Sequence, residues 1–74
     1  MAVFINFKNF ELNLEMLVQV EYQEDKNYEI TCLHFQNESQ TLTLKQLKTN
    51  RDKEIDRLVD IVKKYIDGSR WEYL

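Results

Sequence analysis

The chain has 74 residues, 43% hydrophobic and 31% charged, with a net charge of −3; this is the balance of one small globular domain over residues 1–74, which the periodicity below makes α+β, and it excludes a disordered chain. A single cysteine, Cys32, excludes an intrachain disulfide, and a single glycine without any proline excludes glycine-rich phosphate loops. The charge is uneven, since residues 1–40 carry only Lys8 and Lys26 against Glu11, Glu15, Glu21, Glu24, Asp25, Glu29 and Glu38, and this acidic half argues against nucleic acid as a ligand of the strands.

The opening MAVFINFKNFE has neither a basic n-region nor a continuous apolar h-region, so no signal peptide is expected. No apolar run approaches the roughly 18 residues of a membrane span. A lone thiol fits a reducing compartment, and a cytoplasmic protein is expected.

In chain order, residues 2–8 alternate as a first strand, with Val3, Ile5 and Phe7 on one face and Phe4 and Asn6 on the other. Asn9 gives the following Lys8–Glu11 segment turn chemistry. A loop there pairs Phe7 with Leu12, Ile5 with Leu14 and Val3 with Met16. Residues 12–22 form the longest alternation: Leu12, Leu14, Met16, Val18, Val20 and Tyr22 share one face, and Leu17 is the apolar exception on the other. This pattern predicts one long, half-buried strand.

The polar segment 23–27 predicts a hairpin loop leading to a third strand over 28–36. Placing Tyr22 opposite Tyr28 sets Val20 against Ile30, Val18 against Cys32 and Leu17 against Leu33. The last pair brings two apolar exceptions together, which supports that register. A polar turn at 36–40 and a short fourth strand at 41–45 follow, with Leu42 and Leu44 facing the core.

The period then changes. Ile55, Leu58, Val59, Val62, Tyr65 and Ile66 recur at helical spacing and predict a helix over 51–66. Thr49 or Asn50 serves as its N-cap, and Gly68 as the left-handed residue that ends it. Trp71 and Tyr73, two apart, suggest a short extended tail. The expected fold is therefore a four-stranded antiparallel meander with one C-terminal helix on one face, a two-layer sandwich with an open second face.

Candidate chemistry is sparse. Cys32 and His34 project from one strand face, but neither zinc ligands nor an orienting group for a Cys–His nucleophile accompany them. Glu24, Asp25 and Asn27 lack the spacing and glycine of a calcium loop. The carboxylates of Glu15, Glu21 and Glu29 lie on a strand face with no cleft to raise a pKa. Arg51, Lys53, Arg57, Lys63 and Lys64 alternate with Asp52, Glu54, Asp56 and Asp60, which cancels most of the helix's field. No cofactor, metal, small-molecule substrate or membrane partner is expected, nor is catalysis.

The open sheet face is the expected working surface. Phe4, Leu17, Leu33 and Phe35 form its apolar patch among Glu15, Glu21 and Glu29, with Trp71 and Tyr73 as further anchors. A protein partner or a second copy of the chain covers it, giving a complex or a homodimer. The alternative is a nucleic-acid-binding module using the basic residues of helix 51–66. In size, glycine poverty and acidic sheet the chain resembles small accessory inhibitors encoded by phages and mobile elements. That resemblance implies binding to a host enzyme, or occupation of a nucleic-acid site with acidic side chains.

Overall fold

The computed structural model describes residues 3–36 and 41–74. Ala2 and most of the polar turn expected at 36–40 lie outside the described residues. Among the described residues six strands and one helix follow in the order β1 (Phe4–Phe7), β2 (Phe10–Asn13), β3 (Leu17–Glu24), β4 (Tyr28–Phe35), β5 (Thr41–Leu47), α1 (Lys53–Tyr65) and β6 (Trp71–Tyr73). β1 and β2 make a separate two-stranded hairpin. The other strands form a four-stranded sheet in the order β5-β4-β3-β6.

The molecule is thus a small α+β fold with one helix, but the sheet is mixed and the expected meander is corrected. β3 pairs antiparallel with β4 and parallel with β6. The long strand expected over 12–22 is two strands in two different sheets. A 3₁₀ turn, Leu14–Met16, separates them, and the Asn13 side chain caps it by accepting from the Glu15 amide at 3.0 Å. The turn consumes residues without changing the apolar–polar alternation, so the sequence carries the pattern through a break in the backbone.

Both hairpin registers differ from expectation for local reasons. In the first, a two-residue loop, Lys8-Asn9, pairs Phe7 with Phe10 and Ile5 with Leu12. Lys8 takes the left-handed φ of 53° that a tight hairpin requires at its first loop position. In the second, Asp25 Oδ1 accepts from the amides of Asn27 at 2.8 Å and Tyr28 at 2.7 Å, closing a shorter loop than expected. Val20 then pairs with Leu33, Tyr22 with Thr31 and Leu17 with Phe35, with a bulge between Leu17 and Gln19. The bulge adds one residue on β3 and turns Val18 outward, to 44% exposure.

These shifts reverse which residues face the core on β4. Leu17, Val20, Leu33 and Leu44 are buried under α1, whereas Ile30 and Cys32, expected inside, lie only partly covered on the opposite face. Thr31 is also buried. The helix contributes Ile55, Leu58 and Val62, Ile66 follows at its end, and Phe7, Leu12 and Leu14 of the hairpin region complete the same cluster. Arg57 ties the hairpin to the helix by donating to the Asn6 carbonyl at 3.0 Å.

The helix begins with Asp52, not Thr49 or Asn50, as its cap; the Asp52 carboxylate accepts from the Glu54 amide at 2.9 Å. It ends at an extended Ile66. Gly68 has no positive φ and instead opens a second 3₁₀ turn, Gly68–Arg70, capped by Asp67. No helix among the described residues is long and apolar enough to cross a membrane.

Candidate functional site

Three places on the molecule gather side chains that recognition or chemistry could use. The first is a polar crevice of about 240 Å³ between α1 and the sheet, lined by Tyr22, Glu29, Gln46, Arg51, Asp56 and Lys63. β3, β4 and β5 place Tyr22, Glu29 and Gln46 side by side on the helix-facing surface. Arg51, in the connection before α1, reaches back over them. Its Nη2 lies 2.7 Å from Glu29 Oε2, and the Tyr22 hydroxyl donates to Glu29 Oε1 at 3.1 Å.

Gln46 is 8% exposed, and both ends of its amide are used. Its Nε2 donates to Asp56 at 2.9 Å and its Oε1 accepts from the Asp52 amide at 2.7 Å. The Arg51 guanidinium holds the Glu29 carboxyl below its usual range, assisted by the Tyr22 hydroxyl. It does the same for Asp56, with help from Gln46. Burial, and then the Glu29 carboxylate, push the Tyr22 phenol up to about 12. This network pins the β5–α1 connection to the sheet. Its carboxylates are held ionised by partners in the same chain. Periodicity carries no sign of it, because a glutamine between Lys45 and Leu47 reads as a solvated strand position.

The second place is the uncovered face of the four-stranded sheet. Tyr28, Ile30, Cys32 and His34 form a partly exposed stripe along β4. Register places Gln19, Glu21 and Gln23 of β3 on one side of this stripe and Thr41, Thr43 and Lys45 of β5 on the other. His34 Nε2 donates to Glu21 Oε1, Cys32 Sγ shares a hydrogen bond with Thr43 Oγ1 at 3.7 Å, and Lys45 Nζ lies 4.4 Å from the Tyr28 ring centroid. Cys32 and His34 share this face as expected, but no group of three or more metal-ligating side chains occurs among the described residues.

The third place is the edge formed by β6. Trp71 stacks on Tyr22 with ring centroids 5.9 Å apart, and Tyr73 meets Tyr22 edge-on at 5.7 Å. Lys63 of α1 sits over the Trp71 ring at 5.2 Å. An apolar concavity of about 320 Å³ opens beside them, lined by Lys63, Ile66, Gly68, Trp71 and Tyr73.

The residues expected to make one patch are dispersed. Leu17 and Leu33 are 2% and 0% exposed in the core, so neither lies on an open face. Phe35 packs against that core, and Phe4 stands exposed on the separate hairpin. Glu15 lies on the 3₁₀ turn. Glu29 turns to the helix side, leaving Glu21 on the open face. Trp71 and Tyr73 are brought together on β6. The physical cause is the reversed parity of β4, which carries apolar residues on both faces and so accepts either orientation by pattern alone.

Two basic side chains of α1, Arg57 and Lys64, and Arg51 just before it are paired with carboxylates of the chain. Arg57 approaches Glu54 at 3.7 Å, Lys64 pairs with Asp60 at 3.1 Å, and Arg51 is held by Glu29 and Asp56. No protein-family model matches this chain, and neither a curated protein nor a solved structure does so.

Proposed function

We propose that this protein is a non-catalytic protein-binding module that works through the uncovered face of its four-stranded sheet, in the manner of the small accessory inhibitors its composition resembles. One observation carries this reading. A single helix and the β1–β2 hairpin supply the core on one side, leaving Tyr28, Ile30 and Cys32 as a half-covered apolar stripe on the other. Apolar stripes rimmed by polar side chains suit association with another protein. Glu21 and His34 at one end and Lys45 at the other supply the polar rim. The internal pairing of Arg51, Arg57 and Lys64 favours this reading over nucleic-acid binding through the helix, since phosphate would have to displace carboxylates already in place.

A photo-crosslinking side chain at position 30 tests the proposal in the source cell. A discrete crosslinked product is expected, either a heterologous complex or a crosslinked dimer, and it should disappear in Cys32→Arg and Glu21→Lys backgrounds that retain the native circular dichroism. A folded protein that yields no discrete product at position 30 defeats the proposal.

A further inference from the structure

We propose that the edge between α1 and β6 is a second binding site, and that it takes an extended peptide carrying an acidic side chain. The main chain supplies the first reason. Among the described residues β6 is the outermost strand of its sheet and pairs only with β3. The Leu74 amide donates to the Tyr22 carbonyl at 2.8 Å, so, with the alternation of a parallel ladder, the backbone groups of Trp71 and Tyr73 turn outward. The Trp71 amide is already taken by the Gly68 carbonyl. The Trp71 carbonyl and the Tyr73 amide and carbonyl remain, the complement that one added strand uses.

Side chains beside this edge supply the second reason. The concavity lined by Lys63, Ile66, Gly68, Trp71 and Tyr73 holds no carboxylate, although the chain as a whole carries a net charge of −3. Glu72, the acidic residue of β6, lies on the opposite face, where it accepts from Gln19 at 2.6 Å. Lys63 makes no ion pair among the described residues. The indole Nε1 of Trp71 is buried without an acceptor, and a buried donor left unpaired is costly enough to call for a partner. A carboxylate entering the concavity satisfies both groups. It meets the Lys63 ammonium once that flexible side chain lifts from the indole ring, and it accepts from Nε1 where the same movement uncovers that atom, which the free protein buries. A β-carbon at Gly68 would have no heavy atom within 4 Å, so the concavity is open there to an incoming chain.

A small acid could use the two donors but not the outward groups of Tyr73, and those groups commit the site to a peptide in strand form. This site shares no residue with the open sheet face, and each proposal stands or falls without the other.

Trp71 is the sole tryptophan, so its indole N–H gives one resonance in a heteronuclear spectrum. The test is selection of a displayed dodecapeptide library on the full chain, followed by titration of an enriched synthetic peptide. Enriched peptides should carry an acidic residue within apolar alternation and should move the indole resonance downfield. Lys63→Ala, at an exposed position, should weaken binding about tenfold or more, as loss of a charge-assisted hydrogen bond does. Trp71→Phe should weaken it similarly while keeping the ring, and Ile30→Lys should leave it unchanged. Three results each overturn the proposal: a library that yields no enrichment, an enriched peptide that leaves the indole resonance in place, or full affinity in Lys63→Ala.

Discussion

Arg51 grips Asp56 through two guanidinium nitrogens, Nε at 3.0 Å and Nη2 at 2.7 Å. The same Nη2 reaches Glu29, so one side chain of the connection before α1 joins the first turns of the helix to the centre of the sheet. A fork of this kind orients as well as attracts, which lysine cannot do.

Acid should therefore loosen this junction. Arg51 lowers the carboxyl pKa values of Glu29 and Asp56 in the folded state. Their stabilisation is fully present above the ordinary carboxylate range and is lost as the pH falls through the depressed folded values. Wild-type protein should unfold in acid at a lower pH than Arg51→Met, whose carboxylates titrate closer to their ordinary values. Circular dichroism followed from neutral pH downward measures the two midpoints; coincident midpoints would mean that the fork contributes nothing.

At the alkaline end Tyr22 should stand apart. Its phenol is pushed up to about 12, so it stays protonated well above the ordinary phenol range. A raised folded pKa contributes stability that is complete below the unfolded value near 10 and declines as the pH rises toward about 12. Ultraviolet difference titration should resolve a late phenol that is absent in Tyr22→Phe. A titration in which Tyr22→Phe removes an early-ionising phenol contradicts the burial argument.

Substitutions on β3 and β4 discriminate between the two faces of the sheet. Leu33 is fully buried, and Leu33→Ala should destabilise the domain by roughly 2–5 kcal/mol, as buried leucine truncations do. Leu17→Glu should prevent folding, because it places an unpaired charge in the core. Val18→Glu, one residue on, should retain the native spectrum, since the bulge turns that side chain into solvent. Urea denaturation ranks the variants. A Leu17→Glu protein as stable as wild type would restore the face assignment that alternation alone suggests.

Gly68 offers a stabilising change. It has no positive φ, and an added β-carbon meets nothing within 4 Å. Gly68→Ala should raise stability by about 0.4–1 kcal/mol by restricting the unfolded chain. The expected signature is a higher urea midpoint with an unchanged slope; a lower midpoint would indicate a conformation that only glycine tolerates.

What the sequence announces here depends on how local each cause is. Ile55, Leu58, Val59, Val62 and Ile66 repeat at 3.6-residue spacing, and the helix follows wherever it docks. Leu42 and Leu44 face the core as their alternation with threonine implies, and Trp71 with Tyr73 forms the extended segment their spacing suggests. The 3₁₀ turn at Leu14–Met16 left no such trace, because Leu14, Glu15 and Met16 continue the alternation of their neighbours. Asn13 was its single local signal, and asparagine also fits a polar strand position. β4 could not be oriented by pattern, since Ile30 and Cys32 compete with Leu33 and Phe35 and a buried Thr31 looks polar. The crevice around Arg51 and the edge around Trp71 depend on pairings between distant segments, which periodicity does not encode.

The parallel pairing of β3 with β6 sets an order of events. Arg70 donates to the Leu17 carbonyl across 53 positions of sequence, and Trp71 pairs with Val20 beside it. Closing so large a loop is entropically unfavourable until β3, β4, β5 and α1 have already lined the place where β6 docks. Three strand residues attached at one edge then form a unit that detaches before the rest of the sheet. Amide hydrogen exchange should accordingly reach Leu74 and Glu72 well before Leu33, and in refolding the fluorescence of Trp71 should trail the recovery of helix. The aromatic anchor of the molecule is thus the last part of it to assemble and the first to come loose.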